Sequence, residues 1–259
     1  MKKTNKILAL ALMAVAMVFA SCSKDNDDNP VVPTQQEIEA KIIGKWKTVF
    51  IDGKPFLTND KAVITYYRDK TMTMSVSRFF DKDGYVWENK RPYKWNVEGN
   101  AICETSISDG ITRIKKFVEI DNNHYSHIDP SIIARKVTAD YSQDIIGMWE
   151  GVDMTGYETY GDAHHRIEYH TDGTYTYYSW DESTQTWKPL EDVFDEWNVD
   201  GDWLATRWQN KGSDVMNYEW WDIDYIKKEG NDIIMKWSAL REKEDGTRFN
   251  TTFTWKKVK

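Results

Sequence analysis

Apolar and polar positions alternate in short runs along most of the chain. Residues 71–76 and 174–177 show a period of two, and turn pairs such as Asp83-Gly84, Asp172-Gly173 and Asp245-Gly246 separate the runs at intervals of 10 to 30 residues. β-Branched and aromatic residues dominate between these turns. A period of two is typical of half-buried strands, and closely spaced turns are typical of an antiparallel meander. The pattern therefore predicts an all-β protein.

The second half of the chain is patterned most clearly. We predict about eight strands there, near residues 148–155, 164–170, 174–180, 193–199, 202–208, 215–227, 231–240 and 247–257. Eight antiparallel strands can close into a barrel without an exposed edge. The pattern predicts only short helices, at 34–43, where Thr34 and Glu37 have capping-box spacing, and at 142–146.

The chain also repeats itself. Residues 42–46 (IIGKW) return as 145–149 (IIGMW), and 64–71 return as 167–174, both 103 positions later. A third pair, 95–99 (WNVEG) and 197–201 (WNVDG), is offset by 102 positions. Self-similarity at a fixed offset indicates one fold present twice. We assign the first repeat to residues 36–138 and the second to 139–259.

The first 35 residues precede the repeats. Lys2, Lys3 and Lys6 come before an apolar run of 13 residues at 7–19, which is short for a membrane span and typical of a signal peptide, here residues 1–21. The small residues before Cys22 resemble the lipobox of bacterial lipoproteins, with Phe19 in the place of the usual leucine. This resemblance implies a diacylated Cys22 that anchors the protein to a membrane. The alternative is ordinary secretion with an incidental thiol at Cys22.

Residues 22–35 form an acidic tether with two prolines and almost nothing to bury, so we expect them to be disordered. An acidic run directly after the lipidated cysteine is similar to the signal that sends some Gram-negative lipoproteins to the outer face of the outer membrane. We therefore expect an outer-membrane lipoprotein exposed at the cell surface. A lipoprotein that faces the periplasm is the alternative.

Charge and tryptophan are divided unevenly between the repeats. Residues 36–138 carry 17 Lys and Arg against 14 Asp and Glu, net +3, whereas residues 139–259 carry 13 against 25, net −12. Three tryptophans belong to the first repeat and ten to the second. We expect no nucleic-acid partner, because the second repeat would repel a polyanion.

The order of these markers resembles the lipocalin-like domains of bacterial lipoproteins. In each repeat a short helical segment leads into Gly-x-Trp, followed by an apolar strand, an Asp-x-Thr turn and Trp-Asn-Val. The resemblance spans roughly residues 36–259 and implies two tandem antiparallel calycin-type barrels of about eight strands each. It also implies that Trp46 and Trp149 are structural residues that plug the closed ends of the barrels. Arg135 and Lys256 are the corresponding basic residues after the last strands.

Catalytic and metal-binding motifs are absent from the sequence. There is no Gly-x-Ser-x-Gly, phosphate-binding glycine loop or His-Glu-x-x-His, and the histidines lack the spacing of a metal site. With Cys22 acylated, Cys103 has no disulfide partner, and we expect it to be a buried strand residue. We predict no cofactor, metal or catalytic residue. A calycin-type hydrolase or isomerase, using a carboxylate pair such as Asp222 and Asp224, is the less favoured alternative.

The best candidate for function is an aromatic and acidic strand in the second repeat. Alternation places Tyr218, Trp220, Asp222 and Asp224 on one side of this strand, opposite Trp221, Ile223 and Tyr225. The candidate ligand-binding residues are Tyr178, Trp180, Trp203, Trp208, Tyr218, Trp220, Asp222 and Asp224. Flat rings and carboxylates suit a small amphipathic ligand or a glycan. The alternatives are rings that merely fill the barrel and a structural protein that binds an unknown protein partner.

Overall fold

A computed structural model describes residues 32–76, 79–80, 84–85, 91–128, 131–156, 165–190 and 192–259. The predicted signal peptide, Cys22 and most of the predicted tether lie outside these residues. The helices are α1 (Gln35–Lys41) and a 3-10 turn (Thr58–Asp60). The strands of the first repeat are β1 (Gly44–Ile51), β2 (Lys54–Pro55), β3 (Ala62–Tyr66), β4 (Thr71–Val76), β5 (Phe79–Phe80), β6 (Gly84–Tyr85), β7 (Arg91–Glu98), β8 (Ala101–Ser106), β9 (Thr112–Ile120), β10 (His124–Ile128) and β11 (Ile132–Lys136). Those of the second are β12 (Gly147–Thr155), β13 (His165–Tyr169), β14 (Tyr175–Asp181), β15 (Thr186–Pro189), β16 (Asp192–Asp200), β17 (Trp203–Asn210), β18 (Met216–Glu229), β19 (Asp232–Glu242) and β20 (Arg248–Lys257).

The first repeat is a closed barrel. Its strands follow the order β11-β10-β9-β8-β7-β4-β3-β1, and β11 pairs with β1 to complete an eight-stranded ring, while β2 adds a short edge to β1. Closure leaves no unpaired edge within the ring. The core residues of this barrel include Trp46, Tyr66, Trp95 and Phe117. The predicted all-β barrel is confirmed here.

The second repeat is a curled nine-stranded sheet, in the order β15-β14-β13-β12-β20-β19-β18-β17-β16. No ladder joins β15 to β16 in the described part of the chain. At one end, β14 and β16 approach each other through two contacts. These are a single bridge, Thr174–Glu196, and a hydrogen bond from the backbone N–H of Trp197 to the Gly173 carbonyl. All eight predicted strands are present, and among the described strands of this repeat β15 alone was missed. This four-residue strand is mostly exposed and ends in proline, so it lacks an alternating signal.

The two predicted helices differ. α1 forms with the expected capping box, in which the Thr34 side chain accepts from the Glu37 N–H and Glu37 bonds back to the Thr34 backbone. Residues 142–146 make only a turn, closed by the Ile145 N–H donating to the Tyr141 carbonyl at 3.1 Å. Among the described residues, no helix is long and apolar enough to cross a membrane.

Trp46 and Trp149 are fully buried, in line with the predicted structural role. Each indole N–H donates at 2.6 Å to the carbonyl four residues earlier, that of Ile42 or Ile145. Because that carbonyl belongs to the turn or helix end before Gly-x-Trp, the bond ties this segment to the first strand of its repeat. The motif therefore carries a physical function in both repeats.

The basic partners of these tryptophans are one residue later than predicted. Lys136 lies over the Trp46 ring and Lys257 over the Trp149 ring, each with its Nζ 5.0 Å from the ring centroid. The assignment of Arg135 and Lys256 is wrong because the cross-strand partners are Trp46–Lys136 and Trp149–Lys257, and opposed residues share a sheet face. A shift of one residue moves a side chain to the other face.

This lysine also explains the glycine of Gly-x-Trp. Gly44 and Gly147 have φ values of +128° and +112°, and a Cβ on them would lie 3.0 Å and 3.3 Å from the Cε of Lys136 and Lys257. The lysine stem crosses directly over the glycine to reach the tryptophan. Glycine, lysine and tryptophan thus form one packing unit at the start of β1 and of β12.

Candidate functional site

The two repeats are joined by the strand that sequence analysis singled out. On β18, Trp220 and Asp222 face the first repeat, and on β17 so does Trp203, whose indole N–H donates to the Thr58 carbonyl at 3.2 Å. Trp203 and Trp220 pack in one buried cluster with Val63 of the first repeat, and Tyr218 packs against this cluster. We name this contact the repeat junction.

Ion pairs dominate the repeat junction. Four cations of the first repeat meet three carboxylates of the second: Lys45 pairs with Asp200, Lys47 with Asp202 at 2.6 Å and Asp222 at 2.8 Å, Lys61 with Asp222, and Arg135 with Asp202. Lys47 is only 1% exposed. A charge buried this deeply is tolerable only when it is paired, so the junction requires both repeats to be in place.

The junction shifts two pKa values. Burial alone would raise the pKa of Asp222, but Lys47 and Lys61 outweigh it, and the pKa lies below its ordinary value. The pKa of Lys61 is also lowered, because burial and the nearby charges of Lys47 and Arg135 outweigh the attraction of Asp222. Near neutral pH the junction therefore holds an ionised Asp222 between two lysines.

These positions account for most of the candidate ligand residues. Trp203, Trp220 and Asp222 contact the first repeat, and Asp224 is exposed and accepts a hydrogen bond from Ser238 at 2.7 Å. A bulge between Ile223 and Tyr225 interrupts the alternation, so that Ile226 packs on the core. The expected continuous face therefore ends at Asp222.

Tyr178 and Trp180 lie on another surface, the outer face of β14. The Tyr178 hydroxyl donates to Glu168 at 3.1 Å, and Trp180 packs edge-on against Trp187 with ring centroids 5.3 Å apart. Tyr177 and Ser179 point to the opposite face, into the interior. Seven of the eight candidate residues therefore divide among three surfaces, with Trp208 as the one that lines the interior, and Asp224 lies exposed at the bulge.

A cavity of about 410 Å³ occupies the interior of the curled sheet. Half of its lining is aromatic, and the rest is mainly polar. The lining residues are His165, Ile167, Tyr169, Tyr175, Tyr177, Ser179, Leu190, Thr206, Trp208, Asn210, Asn217, Glu219, Trp221, Trp237, Phe253 and Trp255. The aromatic rings pack on one another, as in Trp237–Trp255 and Trp221–Phe253, both with centroids 5.0 Å apart. We call this space the lumen cavity.

Three donors at the wall of the lumen cavity are left unused. The Tyr169 hydroxyl and the indole N–H groups of Trp237 and Trp255 are buried and have no hydrogen-bond partner among the described residues. Tyr169 and Trp255 are 1% exposed and Trp237 is 4% exposed. Unpaired buried donors are uncommon in native proteins, so three of them on residues that line one cavity make this cavity the candidate site for polar ligand atoms.

The first repeat fills the corresponding space with its own side chains. Tyr66 corresponds to Tyr169 in the repeat, and its hydroxyl donates to Glu104 at 2.5 Å. Glu104 is fully buried and pairs with Lys115 at 2.7 Å. Glu104 corresponds to Thr206, two residues after the aligned Ile102 and Leu204. The shorter threonine leaves the tyrosine without its acceptor and opens the space.

Both tyrosines remain protonated donors. Burial raises the pKa of Tyr66 well above its ordinary value, and the Glu104 carboxylate raises it further. The pKa of Tyr169 is likewise raised well above its ordinary value, by burial first and then by Tyr175 and Glu219. The difference between the repeats therefore lies in the acceptor and not in the tyrosine.

Alternation on neighbouring strands could have identified this wall. Thr206 and Trp208 share one face of β17, and Glu219 and Trp221 share one face of β18. The sequence does not show which face of β18 points to the interior, because both faces carry aromatic residues. Cys103 is buried in β8, as predicted, and burial raises the pKa of its thiol.

In the described part of the chain, no group of three or more His, Cys, Asp and Glu residues has the arrangement of a metal site.

Comparison with known proteins gives little guidance on this site. No family model matches the chain, and no curated protein matches it. One solved structure that the chain resembles is a protein of unknown function from the DUF3598 family of Nostoc punctiforme PCC 73102, at 10% identity, over 87% of this chain and 100% of that one, with a TM-score of 0.23. The protein is therefore defined by its fold as an all-β tandem repeat with one closed barrel and one curled sheet.

The equivalent tyrosines give a matched pair of substitutions. Tyr66→Phe should lower the free energy of unfolding by about 1 to 3 kcal/mol, because it leaves the buried Glu104 short of a donor. Tyr169→Phe should change it by less than about 1 kcal/mol, since no described acceptor loses its partner. Urea unfolding of both variants measures the difference. Equal losses would contradict the assignment of Tyr169 as an unpaired donor.

The junction can be tested at Asp222. Asp222→Asn should cost about 3 kcal/mol, because Lys47 and Lys61 lose a buried carboxylate, whereas the exposed Asp224→Asn should cost little. The lowered pKa of Asp222 means that its stabilisation is complete above the ordinary aspartate pKa of about 4 and is lost as the pH falls through the lowered value. Thermal unfolding from pH 7 to pH 2 should therefore show a shallower acid loss in Asp222→Asn than in Asp224→Asn. Identical acid profiles would contradict a stabilising Asp222 charge.

Proposed function

We propose that the protein is a non-catalytic binding module whose second repeat takes a small amphipathic ligand in the lumen cavity. The observation that carries this proposal is the aromatic cavity of about 410 Å³ with three unpaired buried donors in its wall. Small-molecule sites are mostly apolar pockets of roughly 300 to 1,000 Å³ with a few polar groups that fix orientation. The lumen cavity has this size and composition.

The first repeat has a different part in this proposal. Its interior is occupied by Glu104, Tyr66 and Lys115, and its outer face supplies the cations of the repeat junction. In this proposal the first repeat therefore has a structural role, because it docks on the binding repeat through the repeat junction. The resemblance of both repeats to lipocalin-like domains accords with this proposal, because closed and curled antiparallel sheets commonly enclose small ligands.

Filling the cavity tests the proposal. Thr206→Met places a longer apolar side chain in the lumen cavity, so it should lower the affinity for a ligand at least tenfold. Affinity is measured from the saturable quenching or blue shift of tryptophan fluorescence on addition of the ligand. The panel includes glycans, fatty acids, bile-salt-like amphiphiles and polyamines. Thr112→Met makes the same change at an exposed position of β9 in the first repeat; it is the control and should leave affinity unchanged. A ligand that binds both variants equally does not use the lumen cavity.

We also propose that the protein is a lipoprotein anchored through Cys22 and exposed on the outer membrane. The lipobox-like residues before Cys22 and the acidic residues that follow it support this proposal. Cys22→Ser should abolish palmitate labelling and release the protein from the membrane fraction. Cys103→Ser is the matched control, since its thiol is buried, and should remain labelled. Proteolysis of intact cells should degrade a surface-exposed protein, whereas resistance would place it on the periplasmic side.

A further inference from the structure

The first repeat shows what kind of group the second repeat's interior accommodates. In the first repeat an acceptor oxygen, from the Glu104 side chain, lies 2.5 Å from the Tyr66 hydroxyl inside the barrel. The second repeat keeps the tyrosine as Tyr169 but replaces the acceptor with Thr206, whose hydroxyl faces the Glu219 carbonyl at 3.4 Å. The acceptor that Tyr169 lacks must therefore come from outside the described residues.

The other unpaired groups have the same polarity. The indole nitrogens of Trp237 and Trp255 can donate a hydrogen bond but cannot accept one. The Tyr169 hydroxyl is protonated and has no described acceptor, so it also has a hydrogen to donate. A ligand group that only donates, such as an ammonium, would leave both indole N–H groups unpaired. The wall therefore selects a ligand that brings an acceptor oxygen.

The charges around the cavity disfavour a ligand carboxylate as that acceptor and favour a neutral oxygen. In the first repeat the carboxylate of Glu104 is neutralised by Lys115, which is opposite Ile102 in the β8–β9 pairing. The equivalent place, opposite Leu204 in the β17–β18 pairing, is taken by Trp221. The cation that compensates the buried carboxylate has thus been replaced by a ring.

A second replacement acts in the same direction. Arg113 is opposite Glu104 in the first repeat, whereas Glu219 is opposite Thr206 in the second. No lysine or arginine belongs to the described lining of the lumen cavity, and Glu219 is itself bound by Arg241 at 2.8 Å. An anionic ligand would therefore lie near a carboxylate without a cation of its own, and burying an unpaired charge is costly.

We infer that the lumen cavity takes an uncharged ligand with a flat apolar body and an acceptor oxygen, such as a carbonyl, amide or ether, that receives the Tyr169 hydroxyl. This inference rests on the proposed function and narrows its ligand class. The aromatic walls bind the body, and the donors orient the oxygen toward the interior. The second repeat thus binds from solution the kind of oxygen that the first repeat supplies from its own chain.

Three probes with the same ring system test the inference: 2-acetylnaphthalene, which carries a neutral acceptor, 2-ethylnaphthalene, which has none, and 2-naphthoate, which is anionic. Affinity for the purified protein is measured by tryptophan quenching and calorimetry at pH 7. We expect 2-acetylnaphthalene to bind about three- to tenfold more tightly than 2-ethylnaphthalene, the ratio that one net hydrogen bond supports. 2-Naphthoate should bind more weakly than 2-acetylnaphthalene.

Tyr169→Phe should remove the advantage of 2-acetylnaphthalene and leave the affinity for 2-ethylnaphthalene unchanged, while Tyr178→Phe, on the outer face of β14, should alter neither. Near-ultraviolet circular dichroism of Tyr169→Phe confirms that the fold is retained. Equal binding of the acetyl and ethyl probes, or preference for 2-naphthoate, would overturn the inference and leave the binding module intact. If none of the three probes binds, the lumen cavity is not a site for flat apolar ligands, and the inference fails together with the proposed function.

Discussion

The arrangement of the two repeats depends on Lys47, a lysine that is 1% exposed and is held between Asp202 and Asp222 of the other repeat. A buried ammonium is stable only with its carboxylates in place, and these two carboxylates are also paired with Lys61 and Arg135. Buried ion pairs do not by themselves add much net stability, but they penalise every other arrangement of the same surfaces. The junction therefore specifies one docking of the repeats.

The junction also gives the uneven charge of the chain a physical meaning. In the described ion pairs of the junction, the repeat with a net charge of +3 provides the cations and the repeat with a net charge of −12 provides the carboxylates. Part of the acidity of the second repeat is thus used in contacts with the first repeat. In a tandem repeat, opposite net charges on the two copies can reflect the contact between them.

The strands of the second repeat, the capping box of α1 and the burial of Trp46 and Trp149 were predicted correctly from the sequence. Each of these features depends on a pattern that spans only a few residues. Features that depend on register were not accessible. Lys136 rather than Arg135 lies over Trp46 because of the β1–β11 pairing, and the bulge after Ile223 depends on the partner strand β19. The candidate site was predicted only in part. The aromatic strand β18 was identified, but its two aromatic faces could not be assigned to interior and exterior without the fold.

That ambiguity follows from the way the structure uses these strands. β17 and β18 are buried on both faces: Trp203 and Trp220 face the first repeat, while Thr206 and Trp221 face the lumen cavity. The wall of the cavity is therefore backed by the junction along the same two strands, and side chains on one face restrain the backbone that positions those on the other. A wall held in this way loses little freedom when a ligand binds, which favours affinity. In the proposed binding module, the cations of the first repeat therefore have an indirect part, because they fix the backbone from which the wall of the lumen cavity projects.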